Sequence, residues 1–172
     1  VIRIAATALE TSVGIANLLF RSAWLLDGHE LHAGGGPFPE VVPDNFFLEE
    51  MQTAKGMGVD PYYLMDRQAE RAPIGANRLV YLPYLMGERS PKLDSDCRGV
   101  FFGLSAMHTK YDMLRAVMEG VIYSQRECLD ILRGMGVVSS EMLACGGGGS
   151  SPMWRQMMAD VYNLPVKTVV SK

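Results

Sequence analysis

The chain has 172 residues, 48% of them hydrophobic and 20% charged, with 16 basic and 19 acidic side chains and a formal net charge of −3. These proportions describe an ordinary globular protein of one domain or one and a half, and they exclude disordered and collagen-like classes. Lys and Arg are scattered along the chain, which leaves no electrostatic footprint for a nucleic-acid backbone or an anionic membrane surface.

From Ile2 to Leu26 the apolar residues are dense but imperfectly periodic, which predicts a buried helix or a short strand leading into one. Glu10 and Arg21 interrupt this stretch, and a membrane-spanning helix needs about 20 apolar residues, so no span is expected. Val1 to Glu10 does not read as a secretory signal, because an acidic residue follows its apolar start and no small-residue cleavage site closes it. The first residue is Val rather than Met, and a piece of a longer protein is expected. Gly34 to Pro43 carries three glycines and three prolines and reads as a loop. Asn45 to Lys55 predicts a short amphipathic helix. Asp60 as N-cap and Pro61 at the first helical position open another, running to about Arg71.

Pro73 and Gly75 break that helix, and Arg78 to Leu82 has strand character. Tyr84 to Arg98 lacks periodicity and reads as an exposed, functional loop, with Gly99 to Leu104 as the next strand. Leu114, Val117, Met118, Val121, Ile122, Cys128, Leu129 and Leu132 then recur at three-and-four spacing, predicting a long core helix of about five turns. Thr109 and Asp112 form a weak capping box at its start, and Gly134 is its expected stop.

Met142 to Cys145 reads as a buried strand, followed by four glycines, Gly146 to Gly149, and by a helix that Ser151 and Pro152 announce. Trp154, Met157, Met158 and Val161 lie on one face of this helix, which ends near Asn163 to Pro165 and leads to a strand from Val166 to Val170. With so short a crossover the two strands should be parallel and the connection right-handed. The expected class is α/β, with a ligand crevice at the carboxyl ends of the strands. Cys97, Cys128 and Cys145 are odd in number and widely spaced, without the pattern of a zinc set, so reduced thiols in a cytoplasmic protein are expected.

The run CGGGGSSP is the sharpest local feature. Glycines let the backbone approach a ligand closely, and the amides that open the next helix carry partial positive charge, so a nucleotide is the natural guest. The pattern is neither a Rossmann fingerprint nor a P-loop, and a flexible linker is the alternative reading. In PYLMGERSP, Glu88 and Arg89 stand between a glycine and a proline, where a charged pair either touches a polar ligand or braces the loop. Asp94 and Asp96 read as a solvated turn rather than a cation site, and no metal site is assigned. His29, His32 and His108 have no visible nucleophile or metal partner and read as surface or capping residues. Met86, Met107, Met113, Met118, Met157 and Met158 fall mostly within apolar faces and read as core fillers. Trp154 either borders an adenine or anchors its helix.

The run from Gly99 to Glu119, GVFFGLSAMHTKYDMLRAVME, resembles the second signature of the FGGY carbohydrate kinases. It has Gly99, Phe101, Gly103 and Leu104, then seven residues, then Asp112, Met113, Ala116 and Glu119. LPYLMGERSP before it and CGGGGSSPMWRQMMADVYNLPV after it are similar to the same family, in the same order. The resemblance covers about Asp60 to Lys172 and is strongest to the kinases of xylulose. It divides the chain into an unassigned segment, 1–45, and part of a kinase C-terminal domain, 46–172.

What the resemblance implies is an α/β, actin-like, ribonuclease-H-like ATPase domain, one of two that enclose ATP and a small sugar. Gly146, Gly147, Gly148 and Gly149 would then lie against the adenosine and α-phosphate, with Ser151 where a related kinase places a polar adenine contact. Ser150 stands where a basic residue is more usual. Glu88 and Arg89 would belong to a substrate-side loop. The catalytic base, the phosphate loop and the acidic contacts to Mg²⁺ belong to the N-terminal kinase domain, and no Asp-x-Gly-Thr/Ser loop is present here. No catalytic residue is therefore assigned to this chain, which alone should not transfer phosphate, and a small-residue helix that completes the nucleotide side would follow Lys172. The implied activity is transfer of the ATP γ-phosphate to D-xylulose. The alternatives are gluconate, ribulose, fuculose or glycerol as acceptor, or a non-catalytic actin-like ATP-binding module. A homodimer is compatible with the sequence.

Overall fold

The computed structural model describes residues 47–85, 87–88, 91–144 and 146–168. The expectations for Ile2 to Leu26, for the Gly34 to Pro43 loop, for His29 and His32 and for Cys145 therefore lie outside the described residues. Helix α1 is Leu48–Met57 and α2 is Pro61–Ala69. The Asp60 side chain accepts from the Tyr62 amide and Pro61 takes the first helical position, as the sequence predicts. Helix α1 differs from its amphipathic reading. Leu48 and Met57 are exposed, and the buried positions are Glu50 and Ala54. Glu50 is buried because Lys110 reaches it from the start of the long helix, Nζ to Oε1 2.6 Å.

Strands β1, Val80–Leu82, and β2, Val100–Phe102, pair antiparallel, with Tyr81 opposite Phe101. Their rings meet at 4.7 Å between centroids, and burial pushes the Tyr81 hydroxyl up to about 12. Helix α3, Lys110–Gly134, carries its apolar stripe against this pair. The approach is close: a Cβ added to Gly120 would lie 2.2 Å from the Tyr81 carbonyl oxygen. Its capping box is formed, with the Thr109 side chain accepting from the Asp112 amide and Asp112 Oδ2 accepting from the Thr109 amide at 2.7 Å. Gly134 is not the stop. It is the last helical residue, and Gly136, at φ +87°, turns the chain, while the Gly136 and Val137 amides bond the Arg133 and Leu132 carbonyls. That is the Schellman pattern, which requires the left-handed residue one place beyond the cap.

Strands β3, Met142–Ala144, and β4, Val166–Thr168, pair in parallel, as the short crossover predicts. Between them lie α4, Gly146–Ser150, and α5, Pro152–Tyr162. The glycine run thus winds into one helical turn instead of an open loop. Asn163 closes α5 in the left-handed conformation. Met157, Met158 and Tyr162 join the core shared with α3, and Arg133 of α3 donates to the Tyr162 carbonyl at 2.8 Å. No helix among the described residues is long and apolar enough to cross a membrane.

Candidate functional site

The glycine turn sits at the carboxyl end of β3. Gly149 is a glycine by necessity, since an added Cβ would lie 2.7 Å from both the carbonyl carbon and the oxygen of Ala144. Gly148 differs: an added Cβ would meet only the Trp154 and Met158 side chains, at 3.7 to 3.8 Å, which is ordinary contact. Gly146 and Gly147 lie in the same turn. Ser151 is the N-cap of α5, its hydroxyl accepting from the Trp154 amide at 3.2 Å. Trp154 packs against the core, which supports its anchoring role.

Two side chains that sequence reasoning missed hold this junction. Arg155 Nη1 donates to the Gly149 carbonyl at 2.6 Å. Asp66 of α2 faces the Ser151 hydroxyl and the Trp154 side chain, both of which act as donors to its carboxylate. Burial pushes the Asp66 carboxyl above its ordinary value; those two donors oppose the shift, and Glu70 and Asp60 add to it. A signal for Arg155 existed, because a long side chain in the first turn of a helix can reach back to the carbonyls before it. Asp66 had none, since its position depends on how α2 meets α5.

Glu88 lies in the loop after β1, and its hydrogen bonds are made within that loop. Glu88 is 2% exposed, and its Oε2 accepts from the Lys92 and Leu93 amides at 2.7 and 2.9 Å. Its backbone pairs with Asp94 in both directions. One carboxylate oxygen thus braces the loop, while Oε1 is buried and makes no hydrogen bond among the described residues; Arg89 lies outside the described residues. Asp94 Oδ1 accepts from the Asp96 amide, a local turn. His108 contacts Ser105 through Nδ1 and the Asn77 carbonyl through Nε2, a capping role. Among the described residues no three His, Cys, Asp or Glu side chains gather as a metal-binding group.

A cavity of about 330 Å³ opens between α1, α2 and the start of α3. Its charged lining is largely paired, Lys110 with Glu50 and Arg67 with Glu70. It is separate from the glycine turn.

The family described as FGGY family of carbohydrate kinases, C-terminal domain, matches residues 14–171. A gluconokinase of Bacillus licheniformis is 39% identical over 155 residues, which is 86% of this chain and 29% of that protein. A xylulose kinase of Staphylococcus epidermidis is 35% identical over 140 residues, 76% of this chain and 28% of that protein. The crystal structure of xylulose kinase from Rhodospirillum rubrum aligns with a TM-score of 0.60 at 30% identity, covering 76% of this chain and 24% of that one. The chain spans less than a third of the length of these relatives.

Proposed function

This chain belongs to the FGGY family of carbohydrate kinases, and from that premise we propose that it is the nucleotide-binding part of the C-terminal domain of a cytoplasmic sugar kinase. Gly146 to Gly149 and Ser151 take the adenosine and α-phosphate of ATP. An N-terminal partner domain of actin-like, ribonuclease-H-like fold carries the sugar, and with the nucleotide it holds Mg²⁺. In the reaction the sugar hydroxyl oxygen bonds to Pγ as the bond from Pγ to the bridging β-oxygen breaks. The hydroxyl proton passes to a carboxylate of the partner domain and ADP departs. The residues of this chain bind and orient the nucleotide, and none is assigned a reacting group. Xylulose is the proposed acceptor and gluconate the alternative, since relatives of both names stand at similar identity.

The observation that carries this reading is Gly148. Glycine costs a helical turn about 1 kcal/mol relative to alanine, yet the chain's own packing leaves room for a Cβ there. A ligand lying on the backbone accounts for the missing side chain. In the intact kinase, Gly148→Ala is expected to raise the KM for ATP by about 10-fold, equivalent to the loss of one good contact, with the sugar KM near wild type and the melting temperature of the nucleotide-free protein slightly raised. ADP release with xylulose, gluconate, ribulose and glycerol then identifies the acceptor. An unchanged ATP KM, or no ADP release with any acceptor, would overturn the proposal.

A further inference from the structure

Arg155 lies on α5 just after the glycine turn, and its Nη1 donates to the Gly149 carbonyl at 2.6 Å. Four consecutive glycines carry no side chains by which the rest of the protein could hold them, and they have the largest backbone freedom to lose. Gly149 is nevertheless confined on two sides. The Ala144 carbonyl blocks movement toward β3, and the guanidinium fixes its own carbonyl from α5.

Among the described residues that guanidinium also has no salt-bridge partner, a condition it shares with Arg98, whose Nη1 bonds the Ser95 and Cys97 carbonyls in a different loop. Arg115, Arg126 and Arg133 each form a salt bridge with a carboxylate. Arg155 meets no carboxylate among the described residues; its bond goes to a backbone carbonyl, which leaves the positive charge uncompensated beside the turn. A guanidinium has five N–H donors, and one bond to Gly149 leaves donors free for an anionic group. Ser150, the side chain that the turn itself offers at its end, carries no charge.

We propose that Arg155 is a positioning residue for the nucleotide: it locks the Gly149 carbonyl, and so the direction of the glycine turn, and it supplies positive charge beside the nucleotide's phosphates. The inference rests on the reading of the turn as an ATP site. The two parts separate chemically. Locking needs only a donor at the right distance, whereas the electrostatic part needs the charge.

The test uses the intact kinase, with KM and kcat measured for ATP and for the sugar, ATP binding by calorimetry, and the melting temperature. Arg155→Met is expected to raise the ATP KM by about 10-fold, and Arg155→Gln, which keeps a donor but not the charge, by about half as much on a logarithmic scale. Arg155→Lys, which keeps the charge, is expected to return the ATP KM to within about 3-fold of wild type. The sugar KM stays near its wild-type value in all three. Should Arg155→Met fail to fold, Arg155→Gln decides alone. An unchanged ATP KM in the decisive variant would overturn the inference. So would ATP and sugar KM rising together with a lowered melting temperature and no rescue by Lys, which is the pattern of a purely structural role. If the wild-type kinase does not bind ATP, the underlying reading of the site fails; if it binds ATP with the same affinity as Arg155→Met, only the role of Arg155 does.

Discussion

Asn77 donates from Nδ2 to Asp112 Oδ1 at 2.8 Å, and this bond ties the start of α3 to a backbone segment in an uncommon conformation. Gly75, Ala76, Asn77 and Arg78 all have positive φ, at 80°, 44°, 55° and 71°. A non-glycine residue in the left-handed region costs roughly 1–2 kcal/mol, so this stretch persists only because its surroundings impose it. The Gly75 amide donates to Glu119 Oε1 at 3.0 Å, and the Asn77 carbonyl contacts His108 Nε2. Asp112 and Glu119, both in the run that resembles the family signature, therefore hold the turn that feeds β1.

That relationship predicts an order among substitutions at position 77. Asn77→Ala loses the bond to Asp112 and keeps a Cβ at positive φ, so it should cost about 1–2 kcal/mol. Asn77→Gly loses the same bond but relieves the backbone, and should cost less. Urea unfolding of the intact protein measures both. Equal losses would mean that the left-handed conformation is not a source of strain.

The Arg115–Glu119 pair is buried on both sides, with side chains 9% and 5% exposed, and is closed at 2.7 Å. Glu119 also accepts from the Gly75 amide and from the Tyr123 hydroxyl. Removing one partner leaves a buried charge uncompensated, so Glu119→Gln should destabilise the protein by about 3–5 kcal/mol. The double variant Arg115→Met/Glu119→Leu removes both charges and should recover part of that loss. A double-mutant cycle checks this, and a strictly additive result would deny the coupling.

How much of this could be read in advance depended on whether the cause was local. The Asp60-Pro61 start, the Thr109/Asp112 box and the Ser151-Pro152 start are all set within four residues, and each is formed. The parallel pairing of β3 and β4 follows from chain length between them. Non-local causes left no local trace. Glu50 is buried because Lys110 comes from another helix, and the left-handed turn at Ala76 to Arg78 is imposed by α3. Gly134 reads as the stop of α3, whereas Gly136, two residues on, takes the positive φ, a difference that depends on backbone conformation and not on composition. In the candidate site the glycine turn was visible, whereas the contacts made by Asp66 and Arg155 required the packing of α5.

The glycines of α3 separate sharply in what a Cβ would meet. Gly120→Ala puts a methyl 2.2 Å from the Tyr81 carbonyl oxygen, and neither backbone can yield without moving the helix off β1. A loss of about 1–3 kcal/mol or more is expected. Gly134 has nothing within 4 Å and no positive φ, so Gly134→Ala should stabilise α3 by about 0.5–1 kcal/mol. Thermal melts of both variants test the assignment of Gly136 as the stop; destabilisation by Gly134→Ala would return that role to Gly134.

Asp66 and Asp112 predict opposite responses to pH. Burial raises Asp66 above its ordinary 3.8, and its donors only partly offset this. Its folded state therefore binds a proton more tightly than the unfolded chain does. The resulting contribution to stability is present below 3.8 and is lost as pH rises through the raised value. Asp66→Asn, neutral throughout, should be more stable than wild type near pH 7, with the advantage gone below 3.8. For Asp112 burial also pushes upward, but the Thr109 amide and hydroxyl and the Asn77 amide outweigh it, and the net shift is downward from 3.8. Its contribution is present above 3.8 and is lost as pH falls through the lowered value. Asp112→Asn should therefore be less stable than wild type near pH 7, and the two should converge in acid. Unfolding free energies of the three proteins across that range decide the matter: a deficit for Asp66→Asn at neutral pH would show that its bonds to Ser151 and Trp154 outweigh the cost of burying its charge.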